Sequence, residues 1–91
     1  MRIKENFVLR ELAQSWIVMP VAALDAEPVH GFWRLSRSGA LLWQTLEQEC
    51  QMEDLVRVLM ETYHIDRDTA AADARQFVQK LEQMGCLESR A

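Results

Sequence analysis

Histidine, cysteine, glycine and proline are all scarce in this chain, and each scarcity closes a chemical route. The two cysteines, Cys50 and Cys86, form no CxxC pair and have no histidine beside them, so they read as idle or buried thiols. The two histidines, His30 and His64, fit no metal-ligand spacing, and His64 falls where it can favour the dipole at a helix end. With only three glycines there is no Gly-rich loop to cradle a phosphate. No nucleophile is paired with a base, and the carboxylates are spread over helix surfaces. The sequence therefore predicts no catalytic residue, no cofactor and no metal.

Long apolar runs are missing too. The longest, residues 16–24, is broken by Pro20 and falls short of the roughly 18 residues that a membrane span needs. The start of the chain lacks the cationic and apolar blocks of a secretory signal, so the expected location is the cytoplasm, with no membrane partner. An excess of cations is also absent. The formal net charge is −4, and residues 1–35 balance Arg2, Lys4, Arg10 and Arg34 against Glu5, Glu11, Asp25 and Glu27. All the excess negative charge thus lies in residues 36–91. Nucleic-acid binders need cations where the phosphates sit, and here the helical half has the wrong sign.

What is present is a core. At 91 residues and 49% apolar composition the chain is long enough to fold as one domain, 1–91, without disulfides or metals. Residues 7–13 (FVLRELA) and 15–21 (SWIVMPV) are rich in strand formers and suggest a hairpin, although the turn lacks an Asn-Gly signal. Pro20 should end regular pairing in the second strand. After a loop over 22–30, residues 31–35 (GFWRL) read as a third strand.

Three helices follow. The first, about 38–48, can be capped by Ser36 or Ser38 and carries Leu41, Leu42, Trp43 and Leu46. The second, 52–63, places Leu55, Val56, Leu59 and Tyr63 on one side, with Glu53 and Asp54 in an acidic first turn. The third, about 68–84, is entered through Asp66. Its core stripe is Ala70, Ala74, Phe77, Leu81 and Met84, flanked by Ala71 and Val78, and Gly85 suits a left-handed position just past its end. Met19, Met52, Met60 and Met84 fall at apolar positions and read as core filler. The order gives a compact α+β domain, a three-stranded antiparallel sheet followed by three helices with helix-turn-helix-like packing.

One region asks for a partner. If sequential strands pair as neighbours, the third strand is an edge whose free N–H and C=O groups can template another strand. No proline or lysine guards it. Alternation puts Trp33 and Leu35 on one face, Phe32 and Arg34 on the other. Strand addition by an extended peptide along Gly31, Phe32, Trp33, Arg34 and Leu35 is one reading. Simple packing of Phe32 under a loop is the other. A stripe on the third helix, Ala71, Arg75, Val78 and Glu82, either completes a groove or forms an ordinary solvated flank.

Four segments together resemble the PqqD-like family, named for the coenzyme PQQ synthesis protein D. They are FVLREL, the junction GFWRLSRSGALLW, MEDLVRVLMETYHID and DTAAADARQFVQKLEQMGCLE. Ser36, Ser38, Gly39, Ala40 and Trp43 match the family's strand-to-helix junction. Asp73, Phe77, Val78, Leu81, Gly85 and Leu87 match its last helix. The resemblance spans nearly the whole chain. It implies a small winged helix-turn-helix-like, non-catalytic recognition element that holds the leader of a ribosomally made precursor peptide as an extra strand. That strand would lie on strand 3, beside the third helix. The element would present the peptide to a modifying enzyme, often a radical SAM protein. The site expected from it is Gly31, Phe32, Trp33, Arg34, Leu35, Ala71, Arg75, Val78 and Glu82. The loop over 22–30 follows no family pattern, which points to a modified peptide other than PQQ, such as a thioether-bridged one. The open edge also allows a homodimer. The rival readings are a structural subunit of the enzyme that never touches the leader and, against the charge, a winged-helix DNA-binding regulator.

Overall fold

The computed structural model describes residues 1–20 and 33–88. Within them the order is β1 (Arg2–Ile3), β2 (Phe7–Leu12), β3 (Ser15–Pro20), β4 (Trp33–Leu35), α1 (Arg37–Leu46), α2 (Met52–Tyr63), α3 (Arg67–Gln83) and β5 (Leu87–Glu88). Strands β2, β3 and β4 form an antiparallel sheet in that order. The expected α+β arrangement of three strands followed by three helices is what the fold contains.

The helix boundaries follow from local chemistry. At α1 the Ser36 hydroxyl accepts from the Gly39 N–H at 3.1 Å, so Ser36 is the cap. At α3 the Asp66 carboxylate accepts from the Thr69 N–H at 3.0 Å. At α2 the Asp54 carboxylate reaches back to the Gln51 N–H at 2.8 Å, satisfying a donor that the helix leaves free. His64 closes α2 in a left-handed conformation, φ 55°. Gly85 does so beyond α3 with φ 72°. There the Gly85 N–H donates to the Glu82 carbonyl and the Cys86 N–H to the Leu81 carbonyl, at 3.1 and 2.9 Å. That pair of bonds is a Schellman motif, and it turns Leu87 back into the core.

Three features differ from the sequence reading. The hairpin turn is Ala13-Gln14, with Leu12 paired to Ser15, so it lies one residue earlier than the Gln14-Ser15 break. Both turn residues have positive φ, 50° and 68°, as a two-residue turn that matches strand twist requires. Helix α1 stops at Leu46 rather than continuing to residue 48. The backbone just beyond it is engaged elsewhere: the Cys50 N–H donates to the Met1 carbonyl at 2.9 Å, and the Met1 ammonium to the Cys50 carbonyl at 2.6 Å. Finally, β1 and β5 pair as a two-residue ladder, Arg2 with Glu88 and Ile3 with Leu87. Two residues carry no alternation that a sequence could display.

The core lies between the sheet's inner face and the helices. Trp43, Leu46, Leu55, Leu59, Leu81, Val18 and Cys86 are its fully buried large side chains. Phe7, Leu9, Trp33 and Leu35 pack against it from the sheet. No helix among the described residues is long and apolar enough to cross a membrane.

Candidate functional site

β4 lies at the end of the sheet order, paired with β3 through Trp16–Leu35, Ile17–Arg34 and Val18–Trp33. Its other edge has no partner strand among the described residues. The short strand is anchored from within. Trp33 stacks on Phe7 with ring centroids 5.8 Å apart, and Leu35 packs on the core while Arg34 points outward, exposed. The backbone is therefore held in extended form, with one row of hydrogen-bonding groups unpaired among the described residues.

Directly after Leu35 the chain is bent into α1 by the Ser36 cap, and a cleft opens beside that bend. It holds about 280 Å³ between Ser36, Ser38 and Gly39 on one side and Asp73, Gln76, Phe77 and Lys80 of α3 on the other, with Leu42 and Leu59 in its lining. Gly39 and Phe77 meet closely. A Cβ added to Gly39 would stand 3.3 Å from the Phe77 ring and 3.3 Å from the Ser36 hydroxyl. The glycine thus lets α3 approach the start of α1 without disturbing its cap. A second hollow of about 550 Å³ shares Ser36, Ser38, Leu59 and Asp73 and extends to Tyr63 and Ile65, so the cleft continues across the end of α2.

The expected site residues fall into three groups. Trp33, Arg34 and Leu35 form the edge strand itself, whereas Gly31 and Phe32 lie outside the described residues. On α3 the placement corrects the sequence reading. Val78 is a core residue, 4% exposed, and Ala71 packs against the core. Arg75 and Glu82 are exposed, and Arg75 donates to the Ala71 carbonyl at 3.3 Å. None of these four lines the cleft. At about 100° per residue, Arg75 and Glu82 lie roughly half a turn from Asp73, Phe77 and Lys80. The sequence reading put Phe77 in the core stripe and Val78 on the groove; Phe77 does pack against the core but also lines the cleft, whereas Val78 is buried. Two adjacent apolar residues at the border of a wide stripe cannot be told apart by period alone. The signal that separates them is the polar company of Phe77: Asp73, Gln76 and Lys80 share its flank.

Electrostatics divides the helix starts. Glu53 in the first turn of α2 accepts two hydrogen bonds from Arg67 at the start of α3, at 2.7 and 2.5 Å. Its carboxyl is held below the usual range, first by those bonds and then by the Arg67 charge. Asp66 is lowered as well, by hydrogen bonds from the Thr69 side chain and backbone. α1 has no acidic residue in its first turn and begins with Arg37. The thiols are shielded: burial raises Cys50, and it pushes Cys86 up to about 11.

Comparison with known proteins adds to this geometry. The family model described as coenzyme PQQ synthesis protein D (PqqD) matches residues 16–87. A solved structure of TbiB1 in complex with the TbiA(beta) leader peptide is similar, with a TM-score of 0.77 and 23% identity. That likeness covers 100% of this chain and 99% of the other. Lasso peptide synthetase B1 complexed with the leader peptide gives 0.74 and 18%, covering 97% and 96%. At these identities both likenesses speak for the fold alone. No curated protein sequence matches the chain.

Proposed function

Because the chain belongs to the PqqD family, we propose that it is a non-catalytic adaptor that captures the leader of a ribosomally made precursor peptide for a modifying enzyme. The observation that carries this reading is the position of β4 at the end of the sheet order, with no strand on its other side among the described residues, directly before the cleft that begins at Ser36. A leader in extended form adds to Trp33–Leu35 through main-chain hydrogen bonds, and its inward side chains enter the cleft lined by Gly39, Phe77 and Lys80. Phe77 supplies an apolar wall, and Asp73, Gln76 and Lys80 supply polar contacts. A site of this size fits micromolar affinity, since only a short segment is buried. The adaptor then works by raising the effective concentration of the attached core peptide at the enzyme.

That two similar folds hold leader peptides supports this reading. One of them is a lasso peptide synthetase component, which favours a lasso-type maturation enzyme as the partner over the radical SAM protein expected from the family resemblance. The proposed setting is the cytoplasm, where precursor and enzyme would meet.

The test is an amide-shift titration of the isotope-labelled chain with the synthetic leader of the precursor encoded alongside it. Saturable shifts at Trp33–Leu35 and along Asp73, Gln76, Phe77 and Lys80 are expected. A flat titration, combined with capture of the modifying enzyme in the absence of precursor, would make the chain a structural subunit instead.

A further inference from the structure

The outer face of the three-stranded sheet carries cationic groups that have no ion-pair partner among the described residues. Register places Arg10 opposite Ile17 and Ile17 opposite Arg34, so the two guanidiniums flank one isoleucine on the same face. Arg37, in the first turn of α1, joins Arg34 in lining a hollow of about 620 Å³ at the end of β4. All three arginines are exposed. Three other arginines are paired with carboxylates, Arg2 with Glu5, Arg57 with Asp54 and Arg67 with Glu53, and Arg75 donates to the Ala71 carbonyl. Arg10, Arg34 and Arg37 enter no ion pair among the described residues. Among the described residues the carboxylates that share a hollow with them are Glu11, in the same hollow but on the inner face of β2, and Asp73, which lines the adjoining hollow with Arg37.

A strand added to β4 would face this group at once. Its side chains alternate between the inner and outer faces, and the outward residue directly opposite Arg34 stands about 5 Å from it between Cβ atoms. A cation there is repelled by Arg34, with Arg10 and Arg37 adding to the field. A carboxylate there completes a charge pair, and the planar guanidinium can hold both its oxygens. From this geometry we infer that the peptide accepted at β4 is acidic: its outward residue opposite Arg34 is Asp or Glu, engaged by Arg34 and steered by Arg10 and Arg37. This rests on the strand-addition reading above and names the class of peptide it selects.

The test pans a displayed library of random dodecapeptides against the full chain and against its Arg34→Glu variant. Amide shifts then confirm that the selected peptides bind at β4. Wild type should select Asp or Glu at one fixed spacing from an apolar residue, and Arg34→Glu should select Lys or Arg in its place. Exchanging the selected acid for its amide should raise Kd about fivefold, the size of a strong cross-strand charge pair. Raising salt to about 0.5 M should remove most of that difference. Arg10→Gln with Arg37→Gln should slow association while leaving neutral peptides unaffected. Peptides that shift the β4 amides but show no acidic preference, or keep it against Arg34→Glu, overturn the inference and leave strand addition standing. A library that yields no peptide acting at β4 overturns both.

Discussion

The helical half and the sheet half of this molecule are built to different rules. The helices contribute Trp43, Leu46, Leu55, Leu59, Ala70, Ala74, Val78 and Leu81 to the core, and α1 and α3 are capped by Ser36 and Asp66. The acidic starts of α2 and α3 are cross-linked by Glu53 and Arg67. The sheet contributes Val18 as its one fully buried large residue. It turns through two non-glycine residues with positive φ, and among the described residues its β4 edge has no partner strand and Arg10 and Arg34 have no ion pair. The difference teaches where each half spends its chemistry. The helices hold most of the core, and the sheet carries the edge and the charges on which the proposed strand addition rests.

Four experiments would break or sharpen that contrast. The largest effect is expected at Val78. An aspartate there buries a charge among Leu81, Ala74 and their neighbours, so Val78→Asp should cost about 4 kcal/mol or more and lose the cooperative thermal transition. Glu82→Ala, on the exposed flank of the same helix, should stay within about 0.5 kcal/mol in a denaturant melt. Equal losses in the two would show that the flanks of α3 are wrongly assigned.

Next comes Phe77, the wall of the cleft. Phe77→Ala should weaken leader binding about tenfold by calorimetry, the loss typical of a central aromatic contact, while Arg75→Ala leaves it unchanged. A reversed order would move the site to the other face of the helix.

A smaller and opposite effect is expected at the hairpin. Replacing Ala13-Gln14 by Asn-Gly supplies residues suited to positive φ, and the double variant should gain about 1 kcal/mol of stability without changing leader affinity. No gain would mean that the turn relaxes at little cost.

The smallest effect concerns acid. Glu53 and Asp66 have carboxyls depressed in the folded state, so the stability they contribute is present above their unfolded values, about 4. It is lost as pH falls through the folded values. Melting temperature should drop between pH 5 and about 3, and Glu53→Gln should flatten part of that drop. Both groups are exposed, so the change is slight.

Much of this architecture was readable before any coordinates. Helix α2 falls on the residues that its apolar period and acidic start indicate, and Ser36, Asp66 and Gly85 take the capping roles their chemistry suggests. The edge position of β4 followed from pairing sequential strands. The helix periods and caps depend on neighbours within about four residues along the chain, so the sequence displays them directly. The Ala13-Gln14 turn did not, because neither residue is typical of positive φ and the register of β2 on β3 imposes it. The β1–β5 ladder joins opposite ends of the described chain and is too short to show a pattern.

The sequence by itself determined the kinds of element, their order, their caps, the acidic character of the helices and an arginine on the third strand. Tertiary structure alone decided which flank of α3 faces the cleft, because Phe77 and Val78 are almost equally apolar. In the fold Phe77 packs on the core beside Gly39 and lines the cleft, while Val78 is buried. Tertiary structure also decided that Arg10, Arg34 and Arg37 form a group. Residues far apart or on different elements share a surface only once strand register and the α1 bend bring them together.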